Sequence, residues 1–293
     1  MSPKSAQELV ANIEQVVALP EVCLRINEMV EDANSSANDI SQVIMQDADL
    51  SARLLRLVNS AFYGLGRKVD TISRAVTFIG TKELRDLSII ATSCNLFNGI
   101  PGNMMSMKDF WHYAIATGIL ARQLSSQCNL LHPERLFVIG VLHDIGRLVI
   151  LQHLTSQARD ILLIAHGKNQ LLTSAEKEVL GFNHSEVGFE LMRRWQLPES
   201  ICNSIRHHHT PGSAEEYRLE SALVHISQAL AYDLVWPDES DASADNIDDA
   251  AWEISKLSLE QCQDALGDVG QQIMELFSVL VGGVAQHRSP AQP

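Results

Sequence analysis

A histidine followed directly by an aspartate closes an apolar run, Phe137-Val-Ile-Gly-Val-Leu142-His143-Asp144-Ile145-Gly146-Arg147. Burying such a pair is costly unless it meets a cation or a hydrogen-bond network. Adjacent helical residues point about 100° apart, so the two side chains do not stack. They can still converge on one ion, an imidazole nitrogen and a carboxylate oxygen acting together as ligands. Taken alone, the dipeptide is more commonly a structural hydrogen-bonded pair.

The same half of the chain holds further imidazoles. His184 lies in Gly181-Phe-Asn-His184-Ser-Glu-Val-Gly188, just before a helical pattern, and His207-His208-His209 ends another. A histidine triplet at a helix C-terminus also suits the helix dipole. A zinc, iron or manganese site needs at least three such groups from separate helices. His143, Asp144 and His184 with His208 or His209 are enough in number. His112, His132, His153, His166 and His225 are assigned by default to surface or core packing.

The elements that must position these groups all carry a helical period, and no stretch alternates long enough to suggest a sheet. Short helices are expected after Leu19-Pro20, after Asn38 or Asp39, after Asp49, from the Asp70 cap to Ile79, and from Thr81 to Phe97. Asn98 to Met107 is rich in turn formers and forms a joint. Longer helices follow over Asp109 to Gln127, Pro133 to His153 and Ser156 to Ala165. Thr173-Ser-Ala-Glu176 has the pattern of a capping box. Helices over Ser185 to Trp195, Pro198 to His208 and Glu215 to Leu234 come next. Trp236 to Asp249 is acidic and poor in apolar groups, and the spacing predicts a mobile loop. An amphipathic helix over Ser258 to Val281 and a disordered tail close the chain.

Composition narrows the function. With 22 basic against 36 acidic residues and a net charge of −14, phosphate backbones and anionic lipids are repelled. Neither nucleic-acid nor membrane binding is expected. No apolar signal core follows the first residues, so the expected location is the cytoplasm. Cys23, Cys94, Cys128, Cys202 and Cys262 are scattered and odd in number. They fit small buried hydrophobes in a reducing compartment, not a disulfide framework or a thiolate zinc site.

Several blocks together resemble the HDOD family, a divergent branch of the HD superfamily of metal-dependent phosphohydrolases. In the first half these are LPEVCLRINEMV from Leu19, DISQVIMQDADLSARLLRLVNSAFYG from Asp39 and TISRAVTFIGTKELRDLSI from Thr71. In the second they are FWHYAIATG, IGVLHDIGRLVI, the stretch from Gly181 to Pro211, and ALVHISQALA. Asn59-Ser60 is also typical of the family, and its physical reading is a helix end whose side chains bond freed backbone groups.

The resemblance implies an all-α fold with an N-terminal helical subdomain packed on an HD-like multi-helix bundle. The expected organisation is a tail over 1–8 and an HDOD domain over 9–234, divided into about 9–100 and 101–234. An acidic loop with a C-terminal helix over 235–285 and a tail over 286–293 follow. Against catalytic HD enzymes, the preferred register puts Tyr113 where the first histidine ligand falls, with His112 one position early. Gln228 stands where those enzymes have their last aspartate, and Arg147 stands for a frequent lysine. A hydrolytic centre must hold its ion, acidify its water and keep a position open, and two lost ligands weaken all three.

The expected function is therefore a bacterial signal-transduction module acting as a non-catalytic protein-interaction or ligand-sensing scaffold. The alternative is a metal-dependent phosphohydrolase of nucleotides or cyclic dinucleotides using the residual site of His143, Asp144, His184, His208 and His209. No cofactor is expected, although zinc, iron, manganese or magnesium could occupy that site. A signalling protein is the expected partner and a nucleotide the conceivable ligand.

Overall fold

The computed structural model of the chain describes residues 3–13, 17–97, 100–168, 171–237, 247–267 and 269–282. The fold is all-α, and the described residues contain no strand. In chain order the helices begin with α1 (Ala6–Asn12), α2 (Glu21–Glu31), α3 (Ala37–Met45), α4 (Ala48–Val58), α5 (Ile72–Ile79) and α6 (Thr81–Leu96). The middle of the chain forms α7 (Met107–Gln127), α8 (Pro133–Leu142), α9 (Ile145–His153), α10 (Thr155–Lys168), α11 (Leu172–Leu180) and α12 (His184–Arg194). After these come α13 (Glu199–His207), α14 (Arg218–Val235), α15 (Asp249–Ser255), α16 (Leu259–Asp264) and α17 (Val269–Leu280).

Contacts gather these helices into two compact units, one of Met1–Ala18 with Phe97–Gly267 and one of Leu19–Leu96 with Asp268–Pro293. The ends of the chain are shared out between them. Helix α1 packs on α12, and the buried Trp195 indole donates to the Val17 carbonyl at 2.9 Å. Helix α17 lays its apolar residues Ile273, Leu276 and Leu280 against its own unit, where it meets α4 and α6.

Several helix boundaries differ from the sequence expectation for local reasons. Ser36 with Asp39 forms the capping box of α3, and Asp47 and Thr71 cap α4 and α5. Each is a short polar side chain with extended backbone, Ser36 and Asp47 lying upstream of the residue the pattern favoured and Thr71 one residue downstream of it. The expected capping box at Thr173 does not form, because α11 begins at Leu172 with Leu171 at its cap and no side-chain bond. The helix expected over Ser258 to Val281 is two helices, α16 and α17. Helix α15 follows the acidic stretch with Asp248 as its cap. Most of that loop, residues 238–246, lies outside the described residues, as does the tail from 283 onward.

The largest correction falls at the dipeptide itself. The helix expected over Pro133 to His153 breaks into α8 and α9, with His143 and Asp144 at the junction. Asp144 has φ −100° and ψ 9° and makes no side-chain cap bond, so its carboxylate is free to face inward. The stretch Pro133–His153 has the length and mean hydropathy, 1.4, of a membrane span, and 83% of that window is buried within the fold. It is the core of its unit.

Two backbone contacts fix the helices around that core. A Cβ on Gly140 would stand 2.5 Å from Gly118 Cα, and one on Gly118 would stand 2.7 Å from the Phe137 carbonyl. Helices α7 and α8 therefore touch backbone to backbone. A Cβ on Gly146 would collide with the carbonyl oxygen of His184, and would be 2.8 Å from Gly188 N. Only glycine lets α9 and α12 approach this closely.

Candidate metal centre

The junction of α8 and α9 delivers Asp144, the start of α12 delivers His184, and the turn after α13 delivers His208 and His209. Donor atoms of these four residues all lie within 4.8 Å of one another. His184 Nε2 is 3.0 Å from Asp144 Oδ1, and His208 Nε2 and His143 Nε2 are each 3.6 Å from the same oxygen. His184 Nε2 is also 2.8 Å from His209 Nε2. Most of the cluster is shielded from water: His143 and His208 are 0% exposed, His184 is 1% and Asp144 is 3%, while His209 is only half-buried.

Each imidazole is oriented from behind. His143 Nδ1 lies 2.7 Å from the Gly140 carbonyl, His208 Nδ1 lies 2.6 Å from the Ile205 carbonyl, and His184 Nδ1 lies 2.7 Å from the Glu176 carboxylate. An acceptor at Nδ1 needs a proton there, so in the neutral ring the lone pair sits on Nε2. His143 and His208 thus turn lone pairs toward a carboxylate oxygen, and His184 does so once it gives up its second proton. Neither Asp144 Oδ1 nor His208 Nε2 has a hydrogen-bond partner of good geometry, although both are buried. Orphaned acceptors facing one another are what a cation would satisfy.

The electrostatics carry the same message. Burial would raise the Asp144 pKa, but His143, His184 and Arg147 hold it well below the ordinary carboxylate range. Arg147 reaches Asp144 Oδ2 at 2.8 Å. Burial drives the His143 pKa down to about 4, leaving that ring neutral. Burial also opposes charge on His184, yet Glu176 and Asp144 on either side push it up to about 9. Without a metal, a proton on His184 serves as the local cation. Burial holds His209 well below its ordinary value.

Tyr113 stands at the cluster. Its hydroxyl is 3.4 Å from His143 Nε2 and its ring meets that imidazole edge-on, with centroids 5.3 Å apart. Tyr232 and Trp236 pack beyond it, at 6.3 and 5.4 Å. His112, one position earlier, is half-buried and its pKa is lowered by burial and by Lys108. Gln228 also reaches the cluster, its amide nitrogen 3.4 Å from His209 Nδ1. His207 is not brought in and pairs with Ser213 at 3.1 Å.

Two residues escaped the sequence reading. Glu176 is 2% exposed and accepts from both the backbone and Nδ1 of His184. This is the carboxylate support that orients histidine ligands in metal sites. Its sequence signal is an acidic side chain on the inner face of an apolar helix. His225, assigned to packing, lies 2.7 Å from the His208 carbonyl and accepts from Asp248 N at 3.0 Å.

The donor set fits a divalent ion. Imidazole nitrogens with one carboxylate suit zinc or iron better than magnesium, and spacings near 3 Å suit ligands on one ion with bonds of about 2.0–2.2 Å. A metal bound there would supply charge to neutralise Asp144 and pull the helix junctions together.

One aspartate and several histidines gathered from separate helices in the core of a helical bundle form a cluster that could hold a metal ion. The chain belongs to the HDOD domain family, whose model matches residues 16–211. It is 27% identical, with a TM-score of 0.75, to a Shewanella amazonensis protein provisionally named a phosphohydrolase, over 94% of this chain and 98% of that one. A Geobacter sulfurreducens HDOD domain protein of unknown function shares the fold, with 23% identity and a TM-score of 0.70 over 93% and 96%. An uncharacterized protein of Treponema pallidum is 29% identical over 219 residues, 73% of this chain and 42% of that protein. The chain spans less than half the length of the curated relatives it matches.

Proposed function

We propose that this chain is a cytoplasmic signalling module of the HDOD family, a non-catalytic scaffold for a protein partner whose residual HD site holds a structural divalent metal. The carrying observation is the pair of side chains at the ends of the cluster. A tyrosine hydroxyl and a neutral amide stand where hydrolytic relatives are expected to have an imidazole and a carboxylate. Two anionic or basic groups fewer leave less charge to balance an ion and no base to activate its water.

The cleft directly beside the cluster is small, while the open hollow at Asn203, Arg206 and His207 holds about 310 Å³. The cleft that reaches Arg147 and Glu176, between Met105, Ile150, Ala158 and Leu172, holds about 20 Å³. That is water-sized, whereas small-ligand pockets run to about 300–1,000 Å³.

Metal analysis of purified protein, paired with a phosphodiesterase assay on mononucleotide and cyclic-dinucleotide substrates, tests the reading. The expected result is zinc or iron near one per chain without turnover. Hydrolysis abolished by Asp144→Ala would move the protein to the metal-dependent phosphohydrolases.

A further inference from the structure

Among the imidazoles aimed at the cluster, His143 alone has a hydroxyl at its inward nitrogen. Its Nδ1 is committed to the Gly140 carbonyl at 2.7 Å, so Nε2 carries the lone pair. That lone pair is 3.4 Å from the Tyr113 hydroxyl, and a phenol beside an imidazole lone pair donates to it. His208 Nε2 has no such partner. His184 Nε2 faces only Asp144 Oδ1 and His209 Nε2. The donor atoms lying mutually within 4.8 Å come from Asp144, His184, His208 and His209, and His143 is outside that group.

We propose that Tyr113 withholds His143 from the metal, so that the ion is held by Asp144, His184, His208 and His209 as a closed four-ligand site. Four protein ligands on a small divalent ion are the mark of structural zinc sites, whereas hydrolytic ones keep three and an open position. The hydrogen bond from Tyr113 makes His143 a spectator, although the dipeptide it opens is the clearest signature in the sequence. Tyr113 is a positioning residue in this scheme, since it acts through His143. The inference rests on the reading of the cluster as a metal site and adds which side chains bind.

Cobalt(II) is the probe, added to metal-stripped full-length protein, with uptake and d–d absorption as readouts. Wild-type protein should give the intense visible bands of four-coordinate cobalt. His143→Asn should leave affinity and spectrum nearly unchanged, while His209→Ala should weaken uptake at least about 10-fold, the scale of losing site organisation. Tyr113→Phe keeps the ring and removes the hydroxyl. It should free His143 to bind, dimming the bands toward higher coordination and tightening uptake. Circular dichroism verifies that each variant is folded, and His143→Asn decides the matter should Tyr113→Phe not fold. Loss of uptake in His143→Asn equal to that in His209→Ala overturns this inference and spares the metal reading. No cobalt uptake by wild-type protein overturns both.

Discussion

The two units bury charge in opposite ways. In the unit of α2 to α6 and α17, Arg85 is 3% exposed and is met by Asp86 at 2.8 Å and Glu31 at 3.0 Å. Arg53 is met by Asp49 at 2.8 Å. Donors face acceptors there as charge pairs, although Arg53 Nε makes no hydrogen bond of good geometry. In the other unit, acceptors face acceptors around Asp144 Oδ1, and the balance depends on a proton at His184 or on an ion. Buried charges with matched partners are a packing solution, whereas buried acceptors that converge without donors mark a binding site.

The sharpest way to break this comparison is to delete one charge from each side. Asp144→Ala leaves Arg147 and His184 without their shared carboxylate, and should cost roughly 3–5 kcal/mol in urea unfolding, with loss of zinc uptake. Arg85→Ala should cost about 3 kcal/mol by the same physics and leave zinc uptake intact. Equal effects of both on zinc would dissolve the distinction.

Zinc itself should separate the units next. At a free concentration a thousandfold above its Kd, zinc should stabilise the wild-type protein by about 4 kcal/mol. The same increment should survive in Arg85→Ala and vanish in Asp144→Ala, as read from thermal unfolding.

Glycines sharpen the contrast further. Gly146→Ala puts a methyl group into the His184 backbone, and should cost about 3 kcal/mol and impair zinc uptake. Gly64, in the other unit, has φ +57° and no atom nearer than 3.8 Å to an added Cβ. Gly64→Ala should therefore cost only the left-handed strain, about 1 kcal/mol, with zinc uptake unchanged.

The smallest effect is expected from pH. Against burial, the carboxylates of Glu176 and Asp144 raise the His184 pKa from 6.5 to about 9. A raised histidine stabilises fully below its unfolded value and loses that contribution as pH climbs through the folded one. Metal-free protein should thus weaken between pH 6.5 and 9. Zinc has to displace that same proton, so zinc uptake should strengthen over the same window. Urea midpoints at both pH values, with chelator and with zinc, read both trends.

What could be read from sequence tracks how local each signal is. The helical period gave most of the helices, because apolar spacing is a property of neighbours. Helix caps slipped by one to three residues, since Ser36, Asp47 and Thr71 compete with equally polar neighbours. The break between α8 and α9 was invisible, as the apolar run continues through His143 and Asp144. His184, His208 and His209 were legible as types, and only folding showed that His207 turns away. Glu176 was misread because a capping box and an inward carboxylate share the same letters. The two are told apart by where α11 starts, which is set by packing.

The backbone contact between Gly118 and Gly140 bears on descent. With α7 and α8 locked at that distance, the gap between positions 113 and 143 belongs to the scaffold and not to whichever side chain fills it. Exchange of the side chain at 113 alone then changes what faces His143, without remodelling either helix. Such a frame lets the side chains at the site change while the bundle around them stays as it is.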